Sequence, residues 1–248
     1  MEEDSKLTKA IVLSRQPKHE ADMQLRVFTW SFGKLDLVAR GLRRSGSKLA
    51  GHLEPFNLCE LLILRGRHHD YIASAWSLNS FYDLKSDLNK VYFAGQALKL
   101  FDRLVRSSQA DPSLFILLES YLESLSGEDD GLSQSLGLLY YNFFLAKLLA
   151  ILGTSPELAV CIQSGELITP GHNYLDIERG GLLCSRCFQS MASPPETVYK
   201  IGDNVIRLLR LAVDFEFANL RKIVLSSHDL KELNRLLKLF LEYHYSDF

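Results

Sequence analysis

Over the first 80 residues the apolar positions come in short runs, at 7–14, 24–30, 35–40, 56–64 and 71–78. The runs are rich in Val, Ile, Leu and Phe and are parted by turn-forming residues, a pattern that predicts β-strands. Pro17 falls in the first gap, Ser31-Phe32-Gly33-Lys34 predicts a tight hairpin, and 66–70 predicts another. Residues 41–51 form a longer basic loop. In 35–40, strand alternation turns Leu35, Leu37 and Ala39 toward a core and Asp36, Val38 and Arg40 outward. Five short strands in this length of chain fit a small closed barrel, of which the OB-fold is the commonest five-stranded form.

From about residue 84 the period becomes helical. Residues 89–107 carry Tyr92, Phe93, Leu98, Leu100, Phe101, Leu104 and Val105. Asp111-Pro112 reads as a cap followed by proline at the first helical position, ahead of Leu114, Leu117, Leu118, Tyr121, Leu122 and Leu125. The segment Gly127-Glu128-Asp129-Asp130-Gly131 breaks that helix. A long helix then runs to Leu152, with Gly153 as its stop. It is apolar nearly all round, which predicts the buried centre of a bundle. Residues 154–195 lose the period and hold three of the four cysteines; helical character returns at 203–218 and 229–243. The expected fold is α+β: an OB-fold barrel at 1–80, then a helical domain at 81–248 with 154–195 as a Cys-bearing insert.

A 248-residue chain that is 47% hydrophobic and 23% charged has ordinary globular composition, which excludes a disordered, collagen-like or disulfide-dense class. The opening MEEDSK is acidic, with no apolar segment behind it, so no signal peptide is predicted. The most apolar stretch, 136–152, is interrupted by Asn142 and Lys147 and falls short of the ~20 apolar residues that span a bilayer. A soluble, cytoplasmic protein is the expectation.

The net charge of −2 hides an asymmetry. Between Lys6 and Asp70 there are 12 basic residues against 6 acidic ones, whereas 81–248 hold 16 against 21. A basic front half suggests contact with a polyanion. Arg40, Arg43, Arg44 and Lys48 crowd the loop after the third strand, with Gly41 and Gly46 to let main-chain N–H groups approach phosphates. The plain alternative is a solvated loop. Phe28, Trp30, Phe32, Tyr71 and Trp76 are candidates for base stacking. Strand aromatics usually point inward, which leaves Phe32, at a hairpin tip, as the best exposed of them.

Cys184-Ser185-Arg186-Cys187 is a C-x-x-C knuckle, and Cys161 precedes it by 23 positions. That spacing belongs to structural zinc sites, but the first knuckle ends in Ser164 where a fourth thiolate is needed. His172 is the favoured fourth ligand and Glu166 a poorer one; the alternative is a decayed site of free thiols. Cys59 reads as a small core residue. His68-His69-Asp70 and Glu128-Asp129-Asp130 read as hairpin and loop charge. No phosphate loop, nucleophile elbow or H-E-x-x-H motif is present, so the chain does not read as an enzyme. A zinc-dependent nuclease or deaminase would need a glutamate beside an open metal position, and only Glu166 qualifies. Lys99, Arg103 and Arg106, or Arg207 and Arg210, are candidate basic rims for an acidic protein tail.

Several strings carry a resemblance. They are 8–14 (TKAIVLS), Phe28-Thr29 with Gly33-Lys34-Leu35 and Leu37-Val38-Ala39-Arg40-Gly41, the serine and lysine of the basic loop, and 51–56 (GHLEPF). Leu152-Gly153 with Pro156, Cys161, Gly180-Gly181-Leu182 and Cys184-x-x-Cys187 continue it. The chain resembles the bacterial RecO family of recombination mediators. The resemblance implies an N-terminal OB-fold, a helical domain and, in many members, a zinc-binding insert. It also implies binding of single- and double-stranded DNA, strand annealing, and recombinase loading with RecR on DNA coated by single-stranded DNA-binding protein, as in RecF-type repair. By motif match it carries over Lys34, Arg40, Arg43, Arg44 and Lys48 as DNA contacts. Two departures stand out: the atypical segment Asp22-Met23-Gln24, and Ser164 in place of a cysteine. A protein-interaction scaffold whose barrel binds protein rather than DNA is the other reading.

Overall fold

The alternating runs form five strands: β1 (Ser5–Pro17), β2 (Met23–Thr29), β3 (Gly33–Ala39), β4 (Leu58–Leu64) and β5 (Asp70–Asn79). The computed structural model describes residues 5–106, 109–127 and 131–245. The strands follow the order β1-β2-β3-β5-β4, and β4 returns to β1, closing a barrel with OB-fold order. Its weakest seam is β3–β5, a parallel pairing of only Leu37 with Asp70 and Val38 with Tyr71. Inside lie Ala10, Val12, Leu25, Val27, Leu37, Ala39, Cys59, Leu61, Ile63, Ile72 and Ala75; on β1 to β4 they hold the inward parity, and on β5 a register shift opposite Leu62 and Ile63 lets both Ile72 and Ala75 face in. Leu37 and Ala39 face inward as expected, with Leu35 packed at the edge of the cluster. Val38 is buried as well, although parity turns it away from the interior.

The period change yields α1 (Tyr82–Lys85), α2 (Leu88–Leu104) and α3 (Pro112–Ser126). Asp87 and Asp111 cap α2 and α3 by accepting from Asn89 and Lys90, and from Ser113 and Leu114; Pro112 opens α3. These helices lie on the outside of the barrel. Phe28, turned outward by the parity that sends Val27 inward, is wholly buried against Phe101 and Phe115, with ring centroids 4.9 and 6.3 Å away. The chain therefore divides into two compact units after Gly131, beyond the point where strands give way to helices. Packing of α2 and α3 on the barrel explains where that division falls. Gly33 is required at the β2–β3 turn: its φ is 66°, and a Cβ there would run into the main-chain carbonyl of Gln109.

The second unit is built on α4 (Gln134–Ile151). Length and composition alone would let this helix cross a membrane, yet it packs against α6 (Asp203–Asp214), α7 (Ser227–His244) and a 3-10 turn at Phe217–Lys222. Leu139, Phe143, Phe144 and Leu148 are buried there, as a core helix requires. The insert is not a bare loop. It holds β6 (Asn173–Asp176), β7 (Gly181–Cys184), the short helix α5 (Ser185–Gln189) and β8 (Val198–Ile201), with the strands in the order β7-β6-β8. The third strand lies past residue 195 and pairs with the edge of β6 opposite β7.

Candidate functional site

The basic loop leaves β3 through Gly41, whose φ of 64° turns the chain and whose N–H donates to the Asp22 carboxylate at 2.8 Å. The main-chain N–H of Arg43 donates to the Ala21 carbonyl at 2.9 Å, and those of Arg44 and Ser47 close turns onto Gly41 and Arg44. Leu42 and Leu53 plug the barrel from this segment. The loop is thus pinned at both ends by burial and along one side by hydrogen bonds. From it Arg40, Arg43, Arg44 and Lys48 project into solvent. Arg40 lies 3.8 Å from the ring centroid of Tyr71, which orients its guanidinium while leaving the charge exposed. The Gly41 N–H is already used by Asp22, so of the two glycines only Gly46, with nothing within 4 Å of where a Cβ would stand, keeps an approach for a phosphate.

Lys34 behaves differently. Its Nζ donates to the Asp102 carbonyl at 2.6 Å and lies 3.2 Å from the Asp102 carboxylate, with only 17% of the side chain exposed. Arg26 bridges the same carboxylate to Asp36. Lys34 is therefore a tie between β3 and α2 and stands apart from the four loop cations. The string 51–56 is likewise architectural. His52 Nδ1 accepts from the Ser77 N–H at 3.2 Å, and buried Asn57 donates to the Gly51 and His52 carbonyls while accepting from Lys85 Nζ at 2.5 Å. Asp22, Asn57 and Lys85 shape the loop without any signature that marks them in advance.

Among the aromatic candidates Phe28 is core. Trp30 is 40% exposed but edges onto Phe115, and Phe32 is half-buried beneath the Lys6 ammonium. Trp76, 50% exposed on the outer face of β5, displaces Phe32 as the most open of them. The hairpin turn folds Phe32 back under Lys6, whereas alternation along β5 turns Trp76 outward. His68 and His69 are exposed at the β4–β5 hairpin, and Asp70 accepts from the Gly66 N–H there, closing the turn. Glu128, Asp129 and Asp130 lie outside the described residues. Lys99 and Arg103 are exposed four positions apart on α2, and Arg106 follows beyond its end. On α6, Arg210 is committed to the Leu158 carbonyl, and the cleft it shares with Arg207, Ile168 and Pro170 holds about 30 Å³, room for a water rather than an anchoring side chain.

The insert gathers what the cysteine spacing suggests. The sulfurs of Cys161, Cys184 and Cys187 lie within 4.8 Å of one another, and all three are free. A tight turn carries Cys161: its N–H donates to Glu166, its carbonyl accepts from Gly165, and the Ile162 N–H donates to Leu182 on β7. Gly181 lets that turn lie flat on the strand, since a Cβ would strike Ile162 and Glu157. The Cys184 N–H donates to Cys161 Sγ at 3.4 Å. Burial pushes the Cys161 thiol up, but that bond and others from Ser164 and Gln163 outweigh it and hold the group at about 6. Thiolates sharing a zinc ion at about 2.3 Å stand about 3.8 Å apart, so a small contraction brings this group into range. The donor set fits a soft divalent ion with three ligands. His172 is exposed and outside the group of three, and the Glu166 carboxylate is bound to Arg186 at 2.5 Å. Ser164 stands exposed on the turn that carries Cys161, its hydroxyl accepting from the Glu166 N–H at 3.4 Å.

Two family models match the chain: Recombination protein O N terminal over residues 1–81 and Recombination protein O C terminal over residues 85–247. Similar curated proteins include the DNA repair protein RecO of Dehalococcoides mccartyi, 30% identical over 91% of this chain and 85% of the relative. That of Desulforamulus reducens is 28% identical over 95% and 88%. That of a Nocardioides species is 32% identical over 95% and 92%. The matches run through barrel and helices alike, and the chain belongs to the RecO family of DNA repair and recombination proteins.

Proposed function

We propose that this chain is a non-enzymatic DNA-binding mediator of recombinational repair. It anneals strands and, with RecR, loads the recombinase on DNA coated by single-stranded DNA-binding protein. It works in the cytoplasm, at the nucleoid. The observation that carries the reading is the set of four solvent-exposed cations, Arg40, Arg43, Arg44 and Lys48, on a loop whose backbone is fixed by Asp22, Leu42 and Leu53. A fixed array of cations neutralises phosphates without a large ordering cost and releases their counterions. Trp76 adds an exposed ring for an unpaired base. The three-cysteine group holds a structural zinc ion that staples the Cys161 turn to β7 and α5, and the ion supplies cross-linking rather than chemistry.

A specific observation favours the scaffold reading as its rival. The outer face of β1, β4 and β5 exposes Leu7, Leu64, Trp76 and Leu78. Titration of the purified chain with fluorescent single-stranded and duplex oligonucleotides separates the two. Saturable binding to both is the expected result; a chain that binds neither at low salt is a protein scaffold.

A further inference from the structure

We infer that the metal site formed by Cys161, Cys184 and Cys187 is open at its fourth position, the corner held by Ser164, and that a small thiol binds there as an exchangeable ligand. The inference rests on the zinc reading above and adds what completes the ion's coordination.

Two knuckles face each other in the insert. One is Cys184-x-x-Cys187 at the end of β7 and the start of α5; the other is Cys161-x-x-Ser164 on the turn closed by Gly165 and Glu166. Ser164 stands in the second knuckle where a cysteine would complete the set, on the same turn as Cys161, with its hydroxyl accepting from the Glu166 N–H at 3.4 Å. No other protein donor among the described residues joins the three sulfurs. His172 precedes Asn173, which is fixed in register opposite Cys184 and bonded through its amide to the Thr169 carbonyl, and the His172 ring lies exposed. Glu166 is taken by Arg186. A serine hydroxyl stays protonated at neutral pH and is a weak ligand for a soft ion, so water takes the fourth place.

The environment selects the ligand that replaces this water. Cys161 and Cys187 are buried whereas Ser164 is exposed, so the open corner faces solvent. Three thiolates around a divalent ion leave one net negative charge, and the neighbouring Arg186–Glu166 ion pair adds none, so the softness of the ion, rather than charge, favours sulfur over water at the open corner. On binding, the thiol gives its proton to solvent, its sulfur joins the ion and the water leaves; nothing is oxidised or reduced.

Cobalt(II) reports the ligand set directly. The full-length chain, purified with a phosphine reductant in place of thiols, is loaded with cobalt(II) and titrated with 2-mercaptoethanol. The expected result is tetrahedral cobalt absorption whose d–d bands shift on thiol addition, with sulfur-to-metal charge transfer growing by about a third as three thiolates become four. Ser164→Cys shows the four-sulfur spectrum from the start, ignores added thiol and binds cobalt about tenfold or more tightly. His172→Ala matches the unsubstituted chain. Cobalt bound without any response to thiol, or a spectrum altered by His172→Ala, overturns the open corner while leaving the metal site standing. A chain that takes up no cobalt overturns both.

Discussion

Lys34 donates to the main-chain oxygen of Asp102 at 2.6 Å and lies 3.2 Å from that residue's carboxylate, joining β3 of the barrel to α2. Both groups are largely shielded, so removing one leaves a charged partner short of its bond. Lys34→Ala is expected to lower stability by about 1–3 kcal/mol. Its effect on DNA affinity should be smaller than that of Arg43→Ala. Chemical denaturation paired with DNA titration checks this; an affinity loss with unchanged stability would make Lys34 a DNA contact, as the motif match implies.

Asn57 is the hub beneath the basic loop. Replacing it with Ala takes the amide donor from the Gly51 and His52 carbonyls and leaves Lys85 with only its Glu54 partner. Asn57→Ala should cost about 2–4 kcal/mol, seen as a lower denaturation midpoint, against under 1 kcal/mol for removing the exposed Lys238–Glu242 pair.

Asn142 lies in the core of α4, 1% exposed, with neither amide atom hydrogen-bonded. An unpaired buried amide is costly, and leucine has nearly its shape. Asn142→Leu should therefore raise stability by about 1–3 kcal/mol in thermal or denaturant unfolding. A loss would mean that a bound water satisfies the amide.

Burial pushes the Cys59 thiol from its ordinary 9.0 up to about 12, whereas Cys161 is held at about 6. Iodoacetamide at pH 7.5 should reach the buried Cys59 only on unfolding. A raised thiol favours the folded state fully below its unfolded value and loses that contribution as pH rises toward the folded one. Between pH 9 and 12 the native protein should therefore lose stability that a Cys59→Ala variant, less stable at neutral pH, does not lose.

Most of the fold is legible in the chain because its signals are local. Alternation in 35–40 places Leu37 and Ala39, Asp111-Pro112 starts α3, and Gly153 stops α4. What is not legible is non-local. Phe28 is buried from outside the barrel by Phe101 and Phe115, so the compact unit continues to Gly131. Lys34 reads as one more basic residue until Asp102, 68 positions away, is brought beside it. The cysteine spacing announces the sulfur cluster, but no spacing rule shows that His172 stays outside it, because the register of β6 decides that.

The loop after β3 is expected to bind DNA through its exposed cations. The most direct measurement is the dependence of DNA affinity on salt for the unsubstituted chain and for a variant in which Arg40, Arg43, Arg44 and Lys48 are all alanine, with helicity and cooperative unfolding as the check on folding. Removing one cation that neutralises a phosphate lowers the slope of log affinity against log salt by about one unit at most. The expected result is weaker binding and a slope shallower by about two to four units, with the fold intact. A variant that keeps both the affinity and the slope of the unsubstituted chain would contradict it.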